Sequence, residues 1–217
     1  FGLCEAECKV KNFFEKYFPI EVDVKLILFL IAGFVIATVT GTMSFCVGYY
    51  LTAIAQGHEA RIFYCGVSIN DCLPFSYWMP AIGILTPIII GLLGCLLLFL
   101  NRKEFTESAL HFSQWLMIFL SMFLMRQLDN NSFRLLKYFF SGDFSNHAAD
   151  GYLSVHFGFP SSAIDVLMSV IGIIILLTII FRFIPFTQRL TFCPSGIIGA
   201  PLGYYLWLIQ FGKYILP

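Results

Sequence analysis

Residues 26–56 read LILFLIAGFVIATVTGTMSFCVGYYLTAIAQ, a run of 31 residues without a single acidic or basic side chain. A helix that crosses the hydrocarbon core of a bilayer needs about 20 apolar residues, so this run is long enough for one tilted or protruding span. The whole chain has the same character. Of its 217 residues, 59% are hydrophobic and only 12% are charged, and the mean hydropathy is +0.83. Soluble domains are typically about a quarter charged, so the sequence predicts an integral membrane protein.

Further apolar stretches follow the first one along the chain. The second contains Pro74, Pro80 and Pro87, which predict a helix that begins near Trp78 and kinks at Pro87. The last contains CPSGIIGAPLG, and we expect these residues to break its first half. The later stretches are residues 73–101, 108–125, 166–181 and 190–212. The pattern predicts an all-α, polytopic transmembrane bundle of about five membrane-associated helices, with an N-terminal amphipathic segment (1–25) and a single membrane domain (26–217).

An unusual segment lies between the third and fourth stretches. Residues 119–140, FLSMFLMRQLDNNSFRLLKYFF, pass from an apolar run into regularly spaced polar residues, and neither Gly nor Pro interrupts residues 96–141. Residues 104–141 are therefore predicted to form one long tilted or interfacial helix, about 57 Å in length. On that helix the polar residues share one face, because they recur every three or four positions. They are Arg126, Asn130, Arg134 and Lys137.

Two interpretations of this polar face remain open. In the first, the span ends at Arg126 and the chain continues along the membrane surface, where Arg134 and Lys137 reach lipid headgroups. In the second, the helix continues through the membrane and holds Arg126 inside it. Such an arginine costs several kcal/mol and usually serves a substrate, an ion path or a carboxylate partner.

The second interpretation agrees with a family resemblance. SMFLMRQLDNNSFRLL resembles the arginine helix of subunit a of rotary (F-type) ATP synthases, in which a membrane Arg is followed four residues later by Asn and then by a pair of Leu. The sequence LWLIQFGKYIL is similar to the last helix of that family, which carries Ile-Gln followed by aromatic residues. The family's Gly and His after the Asn are missing here, since Arg134 stands where His is common.

The resemblance implies roles for particular residues. Arg126, Asn130 and Gln210 would form the site that separates two proton half-channels, with a rotor ring and other membrane subunits as partners. The titratable residues that could relay protons are Glu104, Glu107, His111, His147, Asp150, His156 and Asp165. The resemblance also favours the mitochondrial inner membrane, with a membrane of the secretory pathway as the alternative. The chain begins with Phe1, which predicts either a removed targeting segment or a sequence that starts within a longer protein.

A second resemblance leads to a different function. GFPSSAIDVL is similar to the Pro-Ser-Ser-His motif of membrane lipid phosphatases, but Ala163 occupies the position of the His. Since a phosphohistidine cannot form without that group, the resemblance implies at most an inactive relative. The alternative function is therefore a non-catalytic structural or lipid-interacting membrane protein.

The remaining chemistry of the sequence is sparse. Cys65 and Cys72 bracket a short polar loop, and we expect them to form a disulfide if that loop faces an oxidising compartment. The spacing of the cysteines and histidines predicts no metal site, and no cofactor motif is present. A net charge of zero gives no reason to expect a nucleic-acid partner. Membrane lipids and membrane subunits are the expected partners.

Overall fold

The computed structural model describes residues 23–64, 66–70, 76–106, 109–125, 149–160 and 162–216. These residues form helices and one short β-hairpin. Four of the helices are long and apolar enough to cross a membrane. The predicted all-α, polytopic membrane bundle is confirmed, and the chain is a multi-pass integral membrane protein.

The elements follow each other along the chain in a simple order. The first half contains α1 (Val24–Ala55), β1 (Ala60–Phe63), β2 (Gly66–Ile69), α2 (Trp78–Leu100), a 3-10 turn (Arg102–Thr106), α3 (Phe112–Ser121) and a second 3-10 turn (Met122–Met125). The second half contains α4 (Ala149–His156), α5 (Ala163–Thr178) with a π-helical end (Ile179–Phe183), α6 (Phe186–Tyr205) with a π-helical end (Leu206–Phe211), and α7 (Gly212–Ile215). The membrane-spanning helices are α1, α2, α5 with its π-helical end, and α6 together with α7.

Helix α1 has a defined start and a defined end. At its start, the carboxylate of Asp23 accepts hydrogen bonds from two backbone amides of the first turn, at 2.9 and 3.3 Å. At its end, Gly57 adopts a positive φ of 85°, and the N–H groups of Gly57 and His58 donate to carbonyls of the last turn at 2.9 and 3.0 Å. This Schellman arrangement satisfies the terminal carbonyls and turns the chain into the hairpin. With 32 residues, α1 is about 48 Å long and exceeds the thickness of the hydrocarbon core.

Helix α2 begins at Trp78 and contains Pro87, as predicted. The expectation for the last span was wrong, because α6 is helical from Phe186 to Tyr205 with Pro194 and Pro201 inside it. Its glycines explain why the helix survives. A Cβ on Gly199 would lie 2.9 Å from the carbonyl oxygen of Ile31, so α6 lies directly against the backbone of α1. Close packing of small residues holds membrane helices together, and spanning helices tolerate proline where neighbouring groups compensate for the lost hydrogen bond.

The bundle has two ends that differ in charge. At one end, the backbone N–H of Leu110 donates to Oε1 of Gln188 at 3.3 Å, and the ring of Phe183 lies 5.2 Å from that of Phe105. The connections 101–111 and 181–189 therefore meet at this end, where α1 also begins. We call it the basic end, defined by Lys25, Arg102, Lys103, Arg182 and Arg189. The opposite end, which carries β1 and β2, is the hairpin end.

The single long helix predicted over residues 104–141 is wrong at its start. Glu104 lies in a 3-10 turn, and the extended backbone of His111 (φ −80°, ψ 164°) separates that turn from α3. Apolar side chains explain this break, since Phe105 and Leu110 are buried in the core beside Phe183. The part of the predicted helix beyond Met125 lies outside the described residues.

Candidate functional site

The described helix that matters most for the candidate site is the one that leads toward Arg126. Helix α3 and the 3-10 turn that follows it, Phe112–Met125, form one apolar segment that we call the half-span. At 1.5 to 2 Å per residue this described part is about 22 to 24 Å long, against roughly 30 Å for a bilayer core. It begins at the basic end, so its position against α2 decides how deep it reaches.

Glycines of α2 fix that position. A Cβ on Gly94 would overlap backbone atoms of Leu120 and Ser121, and a Cβ on Gly91 would fall 2.5 Å from Cγ of Leu124. Gly91 lies nine residues before the end of α2 at Leu100, which corresponds to about 14 Å along the helix. The half-span therefore reaches the middle of α2 and, with it, the middle of the membrane.

Polar contacts hold the start of the half-span. The backbone N–H of His111 donates to Oε1 of Gln114 at 2.7 Å, which satisfies an amide at the beginning of the helix. Gln114 itself is buried, although it is polar. Further along, Asn101 at the end of α2 donates from Nδ2 to Sδ of Met117 at 3.8 Å. These contacts fix the half-span along its own axis.

The far end of the half-span is enclosed by other helices. The 3-10 turn Met122–Met125 contacts both α2 and α5, and Met122 and Leu124 are buried. The hydroxyl of Ser121 donates to the carbonyl of Ile118 at 2.7 Å and so has a partner within its own helix. The described part of the segment reaches Met125, in apolar surroundings near mid-depth. In the sequence the next residue is Arg126.

Two of the proposed proton-relay residues lie at the basic end. His111 is exposed at the beginning of α3. Glu104 belongs to the 3-10 turn that follows α2. Both residues lie near the start of the half-span, so its full described length separates them from Met125.

Other proposed relay residues lie at the hairpin end. The imidazole of His156, at the end of α4, stacks on the ring of Tyr77 with centroids 4.1 Å apart and planes 21° apart. Asp165 is buried in the first turn of α5, as expected for a carboxylate at a helix N-terminus. Asp150 is a residue of α4. Nearby, the hydroxyl of the buried Ser154 accepts a hydrogen bond from the N–H of Ile164 at 3.2 Å, which joins α4 to α5.

Gln210 lies in the π-helical part of the last span. Its side chain is exposed, and Nε2 donates to the hydroxyl of Tyr205 at 2.9 Å. The other proposed site residues lie outside the described residues, as does the proposed disulfide. They are Arg126, Asn130, Arg134, Lys137, Glu107, His147, Cys65 and Cys72.

Sequence reasoning missed the polar residues at the base of the hairpin, because residues 57–72 were treated as an ordinary loop. The signals were present in the sequence: Gly57 follows the apolar run as a helix-ending glycine, and two four-residue runs rich in Ile, Val and Phe follow it. These runs are β1 and β2, which pair antiparallel from Ala60↔Ile69 to Phe63↔Gly66. The hairpin brings His58, Glu59 and Arg61 to the end of α1.

Comparisons with family models, with curated proteins and with solved structures gave no match to this chain. Within the described ranges, no three His, Cys, Asp or Glu side chains lie close enough together to hold a metal ion. The half-span is therefore the most informative feature for function. It brings Met125 to mid-membrane depth between α2 and α5, directly before Arg126 in the sequence.

Proposed function

We propose that the chain is a membrane-embedded subunit of a proton-translocating complex, in which Arg126 acts as the membrane arginine. The observation that carries the proposal is the depth of Met125. A helix that starts at the basic end brings Met125 level with the middle of α2, one residue before an arginine. Charge at that depth is costly and is typically retained beside a carboxylate or a water-filled path.

The distribution of titratable residues supports the same proposal. His111 lies at one end of the bundle, and His156 and Asp165 lie at the other. A proton path of two half-channels needs titratable groups at both membrane faces, with a cation between them that prevents direct passage. The acidic partner of Arg126 would belong to a neighbouring membrane subunit, and the exposed Gln210 would face the same neighbour.

Replacement of Arg126 by Ala tests the proposal. In membranes that contain the assembled complex, Arg126→Ala is expected to abolish ATP synthesis coupled to a proton gradient, while the amount of assembled complex stays the same. The matched control is Arg102→Ala, since Arg102 is an exposed arginine of the basic end and its loss should leave coupling intact. Coupled synthesis that persists in Arg126→Ala, with the complex assembled, would refute the proposal.

A non-catalytic, lipid-interacting membrane protein is the second candidate function. The observation that favours it is a cleft beside the hairpin in which charged side chains meet the exposed apolar surface of α1. The segment that resembles the lipid phosphatase motif supports no phosphatase activity, because Ala163, the first residue of α5, occupies the position of the His. Retained coupling in Arg126→Ala, or the absence of any proton-translocating complex around the chain, would favour this function.

A further inference from the structure

A cleft of about 410 Å³ opens at the hairpin end, where the chain leaves α1 and enters β1. This volume lies within the range of small-molecule sites, about 300–1,000 Å³. Of the described residues, four polar or charged side chains and two apolar ones line it. They are His58, Glu59, Arg61, Asn70, Ile54 and Ala60.

The backbone around the cleft is held in place by hydrogen bonds. The Schellman arrangement at Gly57 fixes the exit from α1, and the N–H of Asn70 donates to the carbonyl of Glu59 at 3.0 Å. This bond extends the ladder of β1 and β2 beyond the pair Ala60↔Ile69. Glu59 and Arg61 are therefore carried on a paired segment, and a ligand would meet opposite charges at a defined spacing.

The two charges suit a zwitterionic ligand. The guanidinium of Arg61 presents a planar set of donors that matches the oxygens of a phosphate, and charge-assisted bonds of this kind are the strongest hydrogen bonds in proteins. The carboxylate of Glu59 can accept hydrogen bonds from a primary ammonium group. A purely anionic headgroup would meet Glu59 as a like charge.

A quaternary ammonium group fits this cleft less well. It has no N–H to donate to Glu59 and is bound best by the faces of aromatic rings. Among the residues that the structure describes, the lining contains neither Phe, Tyr nor Trp. The chemistry therefore favours a primary amine over a choline group.

An apolar stripe leads into the cleft from the membrane. Val47, Leu51 and Ile54 are exposed, and their spacing of four and three places them on one face of α1. Ile54 belongs both to this stripe and to the lining of the cleft. A molecule with a zwitterionic head and apolar tails can thus contact both surfaces at once.

We propose that the cleft binds a phospholipid with a primary amine headgroup, such as phosphatidylethanolamine. Its phosphate lies on Arg61, its ammonium group on Glu59, and an acyl chain follows Val47, Leu51 and Ile54. The proposal is independent of the proton-path function, since it uses no residue of the half-span.

Native mass spectrometry of the full chain, purified in detergent, tests the proposal. Phosphatidylethanolamine, phosphatidylcholine and phosphatidylglycerol with identical acyl chains are added separately, together with glycerophosphoethanolamine, which has the same headgroup without tails. We expect the bound fraction to be highest with phosphatidylethanolamine. Arg61→Gln and Glu59→Gln should each weaken its apparent affinity by roughly tenfold, the effect of losing one charge-assisted hydrogen bond.

Lys213→Gln is the matched control, because Lys213 is an exposed cation of the last span that does not line the cleft. It should bind the lipid like the native chain. Equal binding of the three lipids, or a loss in Arg61→Gln no larger than in Lys213→Gln, would overturn the proposal. Binding of glycerophosphoethanolamine as tight as that of the lipid would also overturn it, and would assign the cleft to a soluble phosphate ester.

Discussion

The half of the bundle toward the basic end and the half toward the hairpin end are held together by different interactions. Toward the basic end, the ring of Phe34 on α1 lies 5.4 Å from Phe119 of the half-span and 5.2 Å from Phe192 of α6. Toward the hairpin end, hydrogen bonds join the elements: the indole Nε1 of Trp207 donates to the carbonyl of Tyr64 at 2.7 Å, and the N–H of Tyr64 donates to the carbonyl of Leu216 at 3.1 Å.

This difference follows from the half-span. Because it adds the apolar side chains of a fifth helix to the basic half, that half builds a continuous core, in which Trp115, Ile118 and Met122 take part. The hairpin half has fewer packed helices among the described elements and uses a hairpin and the short helix α4 instead. We infer that the packed core of the basic half supplies most of the stability of the bundle.

The largest effect is expected where the half-span docks on α2. In Gly94→Ala the new Cβ would overlap the backbone of Leu120 and Ser121, so the half-span must move. We expect a loss of about 1–3 kcal/mol in the free energy of unfolding, measured from thermal unfolding in detergent.

Gly41→Ala is the matched control for this substitution. Gly41 also lies inside a membrane helix, but no described heavy atom approaches within 4 Å of a Cβ built on it. The control should therefore be stabilised by about 0.5–1 kcal/mol, the usual gain of Ala over Gly in a helix. Equal melting temperatures for the two variants would contradict the claim that Gly94, unlike Gly41, is needed for helix docking.

A smaller effect is expected in the hairpin half. Trp207→Phe removes the hydrogen bond to the carbonyl of Tyr64 while keeping most of the buried ring, at a cost of about 1 kcal/mol. Hydrogen exchange should accelerate in β1 and β2 and stay unchanged in the half-span. Trp78→Phe is the control, since Trp78 is exposed at the start of α2. Faster exchange throughout the chain would show that the two halves do not respond separately.

The sequence predicted the spans because their signal is local. Runs without charge locate α1 and α2, and Pro74 together with Pro80 marks the start of α2 near Trp78. Features that depend on distant neighbours were not predictable. Pro194 and Pro201 suggested a broken helix, whereas the contacts of Gly199 with α1 keep α6 intact.

The same limit applies to the candidate site. Residues 104–141 contain neither Pro nor Gly, so nothing local signalled the break before Phe112. That break arises because Phe105 and Leu110 turn inward to contact the core. The depth of the half-span depends in turn on Gly91 and Gly94 of another helix. Nothing in a single sequence indicates that Gly91 and Gly94 contact the described segment that reaches Met125.

The depth of Met125 in a bilayer is the most direct test of the account. A spin label is placed at position 125 in a chain whose native cysteines are replaced, and its accessibility to oxygen is compared with that to a water-soluble nickel chelate. Labels at Leu93, beside the docking glycines of α2, and at Ala109, exposed at the basic end, give the two reference depths. We predict that the ratio of oxygen to nickel accessibility at position 125 is close to the ratio at position 93 and well above the ratio at position 109. A label at 125 that behaves like the one at 109 would contradict the half-span and remove the basis for a membrane arginine at Arg126.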